Sequence, residues 1–188
     1  MPSDDFMERA DDEREMTTIA DDIDDLDDDR DLDDDRADEE DTDTVTFVSL
    51  GLPEEILAAV TDMGFRVPTP IQAAAIPPLL ELRDVVGIAQ TGTGKTAAFG
   101  LPLLAIVDAD ERDVQALVLA PTRELAMQSA QAIEDFAART ARLDVVPVYG
   151  GSPYGPQIGA LKRGAQVVVG PPGRVIDLIE KGALRSEE

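Results

Sequence analysis

The chain has 188 residues, 40 acidic and 16 basic side chains for a net charge of −24, and neither cysteine nor histidine. That excludes a disulfide framework, thiolate chemistry, a Ser-His-Asp hydrolase and the usual zinc centres. The length suits one domain with a real core. No apolar run approaches a membrane span, and the acidic start lacks the basic-then-apolar order of a secretory signal, so the cytoplasm is the expected compartment.

The charge is unevenly spread. Residues 1–45 hold 23 Asp/Glu and 4 Lys/Arg, whereas 46–188 hold 17 and 12. Runs such as Asp21-Asp22-Ile23-Asp24-Asp25 bury too little apolar surface to offset ordering, so 1–45 reads as a disordered acidic tail. Met16, Ile19, Ile23 and Leu26 fall at helical spacing, which fits a short helix formed on a protein partner. Disorder is preferred, because Asp is a poor helix-interior residue.

Residues 46–188 read as the folded part. Pro53 suits a helix N1 position ahead of Ile56, Leu57, Val60 and Met63, with Gly64 as the stop. Thr69 suits an N-cap with Pro70 at N1, which puts Gln72 in the first turn; Pro77-Pro78 are expected to bend or interrupt that helix. Val85-Val86-Gly87-Ile88 reads as a buried strand. It runs into Ala89-Gln90-Thr91-Gly92-Thr93-Gly94-Lys95-Thr96 and then a helix to about Val107. Strand, Gly-rich loop, Gly-Lys-Thr and helix form the arrangement of a phosphate-binding loop. The glycines allow positive φ and close approach of a ligand, Lys95 supplies a cation, and the Thr96 hydroxyl suits a Mg²⁺ ligand.

Further on, Ala116–Ala120 is a short strand, and Thr122 opens a long helix apolar at Leu125, Ala126, Ala130, Ile133 and Phe136. Val145–Tyr149 and Val167–Val169 are strands ended by Gly150-Gly151 and by Gly170-Pro171-Pro172-Gly173-Arg174. Helices are expected over 157–163 and 175–181. Short apolar strands alternating with helices imply an α/β fold, a parallel sheet covered on both faces. Every chemical motif then sits at a C-terminal strand end, where such sheets bind ligands.

Taken together, these residues resemble the first RecA-like lobe of a DEAD-box RNA helicase, a P-loop NTPase. Gly64-Phe65-Arg66-Val67-Pro68-Thr69-Pro70-Ile71-Gln72 resembles the Q motif, and Phe47 stands at the spacing of that family's isolated upstream aromatic. Ala89–Thr96 match motif I, Pro121-Thr122-Arg123-Glu124-Leu125-Ala126 motif Ia, Gly150-Gly151 the GG motif, and Pro172-Gly173-Arg174 the end of motif Ib. The resemblance implies ATP with Mg²⁺ held across Ala89, Gln90, Thr91, Gly92, Thr93, Gly94, Lys95 and Thr96, with Lys95 and Thr96 as catalytic groups. It also implies that Gln72 reads the adenine edge and Phe47 stacks on the ring. Pro121, Thr122, Arg123, Gly150, Gly151, Gly173 and Arg174 would face the backbone of single-stranded or duplex RNA without reading sequence.

There are departures from the family pattern. Pro171 replaces the usual Thr of motif Ib, which removes a hydroxyl and an N–H, and Leu82 stands where that family has Gly. The sequence ends at Glu188 ahead of any Asp-Glu-Ala-Asp strand or second lobe. These 188 residues alone are therefore expected to bind nucleotide weakly, to lack turnover and to leave a sheet edge open. The alternative is a non-catalytic nucleotide-binding or interaction module with an acidic tail. A GTPase is disfavoured because the chain has no Asn for a guanine motif.

Overall fold

The computed structural model describes residues 17–20, 45–139 and 143–185. The rest of the acidic segment, including the helical spacing at Met16, Ile23 and Leu26, lies outside the described residues. Within that segment the structure forms a strand, β1 (Thr17–Ala20), which the expectation of a wholly disordered tail did not include. β1 pairs in parallel with β2 (Val85–Ile88), the strand that feeds the phosphate loop, in the register Thr17 to Val85 through Ala20 to Ile88.

A single 3-10 turn, Phe47–Leu50, opens the second described segment. Helix α1 (Glu54–Asp62) follows, with Pro53 at the N-cap rather than N1, one position earlier than expected. Helix α2 (Pro70–Leu80) starts as predicted, with Thr69 as cap and Pro70 at N1. It does not break at Pro77-Pro78 but runs through both. Two ladder donors are lost there, yet the helix has only two residues left, and Ile71, Ala75 and Ile76 are already buried. Packing of α2 on α3 (Lys95–Ile106) outweighs the missing bonds.

Strand β3 (Ala116–Leu119), helix α4 (Arg123–Phe136) and strand β4 (Val145–Pro147) agree with the sequence pattern in type and place. Helix α5 (Tyr154–Lys162) and helix α6 (Pro172–Glu180) each begin three residues before the expected start. In α6, Pro172 occupies N1, where its missing N–H costs nothing. The Pro-Pro-Gly stretch that reads as a turn is thus partly a helix start.

All strand pairs among the described residues are parallel, in two groups: β1 with β2, and β3-β5-β4 with β5 (Val167–Gly170) in the middle. The central position explains why β5 reads as an unbroken valine run. Alternate side chains point to opposite faces. Val167 and Val169 enter the core with Ile56, Ile76, Leu101 and Ile133. Val168 enters a second core with Val148, Val175 and Leu178. Both faces are covered, so neither can be polar. At the opposite sheet end the buried Gln166 ties loops together. Its Oε1 accepts Asp144 N–H at 2.9 Å, and its Nε2 donates to Glu111 O at 3.0 Å.

The outer edge of β3 carries no strand among the described residues. Leu117 and Leu119 are 45% and 57% exposed there. They border an apolar groove of about 840 Å³, walled on its far side by Leu79, Phe99, Leu103 and Ile106. The expected open edge is therefore present.

Three helices close with the same pair of C-terminal backbone bonds. After α1, Gly64 N–H reaches Thr61 O and Phe65 N–H reaches Val60 O. After α6, Gly182 and Ala183 N–H reach Ile179 and Leu178 O. After α2, Leu82 and Arg83 N–H reach Leu79 and Pro78 O. This is the Schellman arrangement, which needs a left-handed residue after the cap. Gly64 and Gly182 supply it without strain, at φ 82° and 63°. Leu82 supplies it at φ 60°, the only non-glycine residue with positive φ among those described.

Two outcomes follow from these features. Leu82→Gly removes a left-handed strain of about 1–2 kcal/mol and adds chain entropy of about 0.4–1 kcal/mol to the unfolded state. The melting temperature should therefore rise by about 2 °C; a lower midpoint would contradict the strain. On the open edge, Leu119→Lys should shift concentration-dependent oligomers toward monomer in sedimentation velocity while changing stability by less than about 0.5 kcal/mol.

Candidate functional site

The C-terminal ends of β2, β3, β4 and β5 carry the loops singled out by sequence. The phosphate loop follows β2. Gly92 and Gly94 both take left-handed φ, at 88° and 86°. The loop delivers its chain into the N-terminus of α3, where Lys95, Thr96 and Ala97 lead the helix. Intrahelical bonding begins with Ala98 N–H to Gly94 O at 3.1 Å. The three leading N–H groups and the helix dipole therefore face the loop's concavity. The fit to a phosphate chain is direct: a left-handed glycine pair, free amides, one cation and one hydroxyl share a single turn.

Hydrogen bonds fix the loop in this shape. Thr93 Oγ1 donates to Gln90 O at 2.9 Å. Lys95 Nζ folds back and donates to Gln90 O at 2.7 Å and to Ala89 O. Its ammonium is thus held by the loop's own carbonyls.

Helix α2 holds the loop from the other side. Thr69 Oγ1 donates to Thr93 O at 2.8 Å, and Gln72 Nε2 donates to Gly94 O at 3.2 Å. Gln72 Oε1 accepts Thr69 N–H at 2.9 Å, the returning arm of a capping box. Gln72 is 2% exposed, so both ends of its amide are committed. The contact is close enough to dictate glycine at position 94. A Cβ there would lie 2.3 Å from Gln72 Nε2. At Gly92 a Cβ would meet nothing within 4 Å.

Phe47 is 4% exposed and belongs to the main core. Its ring packs on Phe65 at 6.5 Å, and Phe65 packs edge-on against Phe136 at the same distance. In this conformation the ring is a core aromatic rather than an open stacking face.

The other three strand ends converge. Thr122 caps α4, accepting Leu125 N–H at 3.2 Å, and leaves Arg123 exposed in the first turn beside Pro121. The Arg123 guanidinium stands 5.6 Å from the Tyr149 ring centre at the end of β4. Gly151, at φ 79°, passes so close that a Cβ would sit 3.4 Å from Arg123 Nη1. Gly150, Gly151 and Gly173 are exposed. Arg174 is not: it is 6% exposed. Its Nε donates to Gln157 Oε1 at 3.0 Å and its Nη2 to Ser152 O at 2.9 Å. Tyr154, Gln157 and Tyr149, which sequence reading passed over, complete this side of the site. A glutamine on an otherwise apolar helix face was the available signal for Gln157.

Among the described residues no group of three or more Asp, Glu, His or Cys gathers to hold a metal ion. No helix among them is long and apolar enough to cross a membrane.

The sequence profile of the DEAD/DEAH box helicase family matches residues 69–187. The chain is 56% identical over 147 residues to the ATP-dependent RNA helicase DeaD of Haemophilus influenzae, covering 78% of this chain and 24% of that protein. It is 53% identical over 139 residues to the Escherichia coli protein of the same name, covering 74% and 22%. The chain thus spans about a quarter of the length of these curated relatives. Among solved structures, a DEAD box protein from Methanococcus jannaschii superposes with a TM-score of 0.70 at 42% identity, covering 74% of this chain and 38% of that one. Saccharomyces cerevisiae Dbp5 bound to RNA and ADP BeF3 superposes at 0.67 and 35% identity, covering 76% and 36%.

The Gln72–Gly94 contact can be tested by unequal damage. Gly94→Ala meets both strain and collision, whereas Gly92→Ala meets strain alone. In urea titrations Gly94→Ala should lose about 2–3 kcal/mol and Gly92→Ala about 1 kcal/mol. Equal losses would mean that Gln72 does not press on the loop.

Proposed function

The chain belongs to the DEAD/DEAH box helicase family, and we propose that it supplies the ATP-binding loop and part of the RNA track of an ATP-dependent RNA helicase. The observation that carries this reading is the tie between Gln72 and Gly94 O. It joins the residue expected to read adenine to the loop expected to hold phosphates, within one hydrogen bond.

The chemistry follows from the residues present. A triphosphate entering the loop would meet the amides at the start of α3 and draw Lys95 Nζ off the carbonyls of Ala89 and Gln90. Charge-assisted bonds to phosphate are stronger than bonds to neutral carbonyls, so the exchange is favourable. Mg²⁺ arriving with the nucleotide would be held by the Thr96 hydroxyl and would neutralise charge on the phosphate oxygens. Reading of adenine would use the second N–H and second lone pair that the bonds to Gly94 O and Thr69 N–H leave on the Gln72 amide, and because that amide is buried, base recognition acts on the same group that holds the loop. Stacking of adenine on Phe47 requires that ring to leave its core contacts.

The RNA track is assigned to the loops after β3, β4 and β5. Exposed Arg123 and the exposed amides of Gly151 and Gly173 suit contacts to a sugar–phosphate backbone with no base readout. Pro121, Thr122 and Gly150 position them.

Equilibrium titration with fluorescent nucleotides tests the first half. Lys95→Ala should weaken ATP by at least about tenfold, the worth of one charge-assisted bond. Gln72→Ala should weaken ATP several-fold more than GTP. Indistinguishable affinities of the unmutated chain for ATP and GTP would overturn the adenine-reading role of Gln72.

A further inference from the structure

We infer that Arg174 and Gln157 are positioning residues that set the Gly150–Gly151 loop for RNA, and that Arg174 does not itself touch phosphate. This inference rests on the RNA-track reading above and deepens it.

The loop between β4 and α5 is held at both ends by side chains from beneath. On its leading side, Gln157 Nε2 donates to Tyr149 O at 3.2 Å. On its trailing side, Arg174 Nη2 donates to Ser152 O at 2.9 Å. The two anchors are joined, since Arg174 Nε donates to Gln157 Oε1 at 3.0 Å. Carbonyls 149 and 152 are therefore fixed through one buried pair, and the two glycines lie between them.

Burial decides the role. Both side chains are only 6% exposed. One face of the guanidinium lies 3.5 Å from the Tyr154 ring centre. That ring is itself fixed, with Tyr154 Oη donating to Asp177 Oδ2 at 2.8 Å, one turn along α6 from Arg174. Two of the guanidinium's donors are committed to Gln157 and Ser152, and with the group stacked on Tyr154 and almost wholly buried little of it is left to reach a phosphate. The planar fork of arginine suits a site that bonds two different acceptors while stacking on an aromatic face; a lysine cannot reproduce it.

The consequence is a division of labour between two arginines at the same face. Arg123 is exposed and free to meet an anion, whereas Arg174 carries the geometry of the glycine amides. A buried cation that acts through the backbone adds nothing to the count of phosphates neutralised.

The test compares Gln157→Ala, Arg174→Lys and Arg174→Gln with the unmutated chain in three measurements. These are affinity for a single-stranded oligonucleotide across a salt series, affinity for ATP, and the backbone amide signals of Gly150, Gly151 and Ser152. Gln157→Ala and Arg174→Lys should each weaken RNA about three- to tenfold, the loss of one hydrogen bond, with the salt slope and ATP affinity unchanged. The three amide signals should shift or broaden in both variants. Direct phosphate contact would give the opposite pattern: Arg174→Lys near full affinity, Gln157→Ala unaffected, and Arg174→Gln with a salt slope shallower by about 0.7. Unmoved amide signals in Gln157→Ala would also overturn the inference. If the unmutated chain binds ATP but no RNA, the RNA-track reading fails; the amide signals still decide whether the pair holds the loop.

Discussion

Helix α2 reaches the phosphate loop through one glutamine, and much of the site depends on that reach. Gln72 closes the cap of its own helix with Oε1 and holds the carbonyl of Gly94 with Nε2. Its amide plane is thereby fixed, and the backbone at position 94 must pass it without a side chain. The same carbonyl also accepts the first bond of α3. One backbone oxygen thus links two helices and a loop, and a buried amide with both ends bonded is costly to disturb. Nucleotide affinity and the shape of the empty loop are consequently not independent properties in this fold.

A parallel sheet explains why the remaining parts come together. Each strand ends on the same edge, so loops far apart in sequence become neighbours. Tyr149 after β4 stands beside Arg123 after β3, and Arg174 after β5 supports Ser152 after β4. None of these pairs is close in the chain. Each is a by-product of the order β3-β5-β4, which seats β5 between its neighbours and buries its valines on both faces. The fold carries the site by placing strand ends, and the side chains at those ends tune what the edge can hold.

Much of this was legible in the sequence because the signals were local. Val85–Thr96 shows strand, glycines and Lys-Thr within a dozen residues, and Thr69-Pro70 marks a helix start by cap chemistry alone. The valine run at 167–169 announces a strand covered on both sides. What was not legible was set by distant partners. Pro77 and Pro78 stay helical because α2 is already packed on α3. Arg174 looks like a surface cation until Tyr154, Gln157 and Ser152 surround it. Phe47 resembles an isolated aromatic, yet Phe65 and Phe136 draw it into the core. Strand β1 was hidden by composition: four apolar or hydroxyl residues are lost in an acidic average, although four are enough to pair with β2. The starts of α5 and α6 were masked by Pro and Gly, which serve turns and first helical turns alike.

The helix ends offer a last point about motion. Gly64 and Gly182 occupy a backbone state that glycine adopts freely, whereas Leu82 holds the equivalent place with a side chain that resists it. The strained closure lies three residues before β2 begins. Of the three helix ends closed this way, the one at Leu82 therefore costs least to fray, and it is the one that leads into β2 and Ala89. The backbone strain that sets this end apart thus sits on the approach to the anion-holding turn.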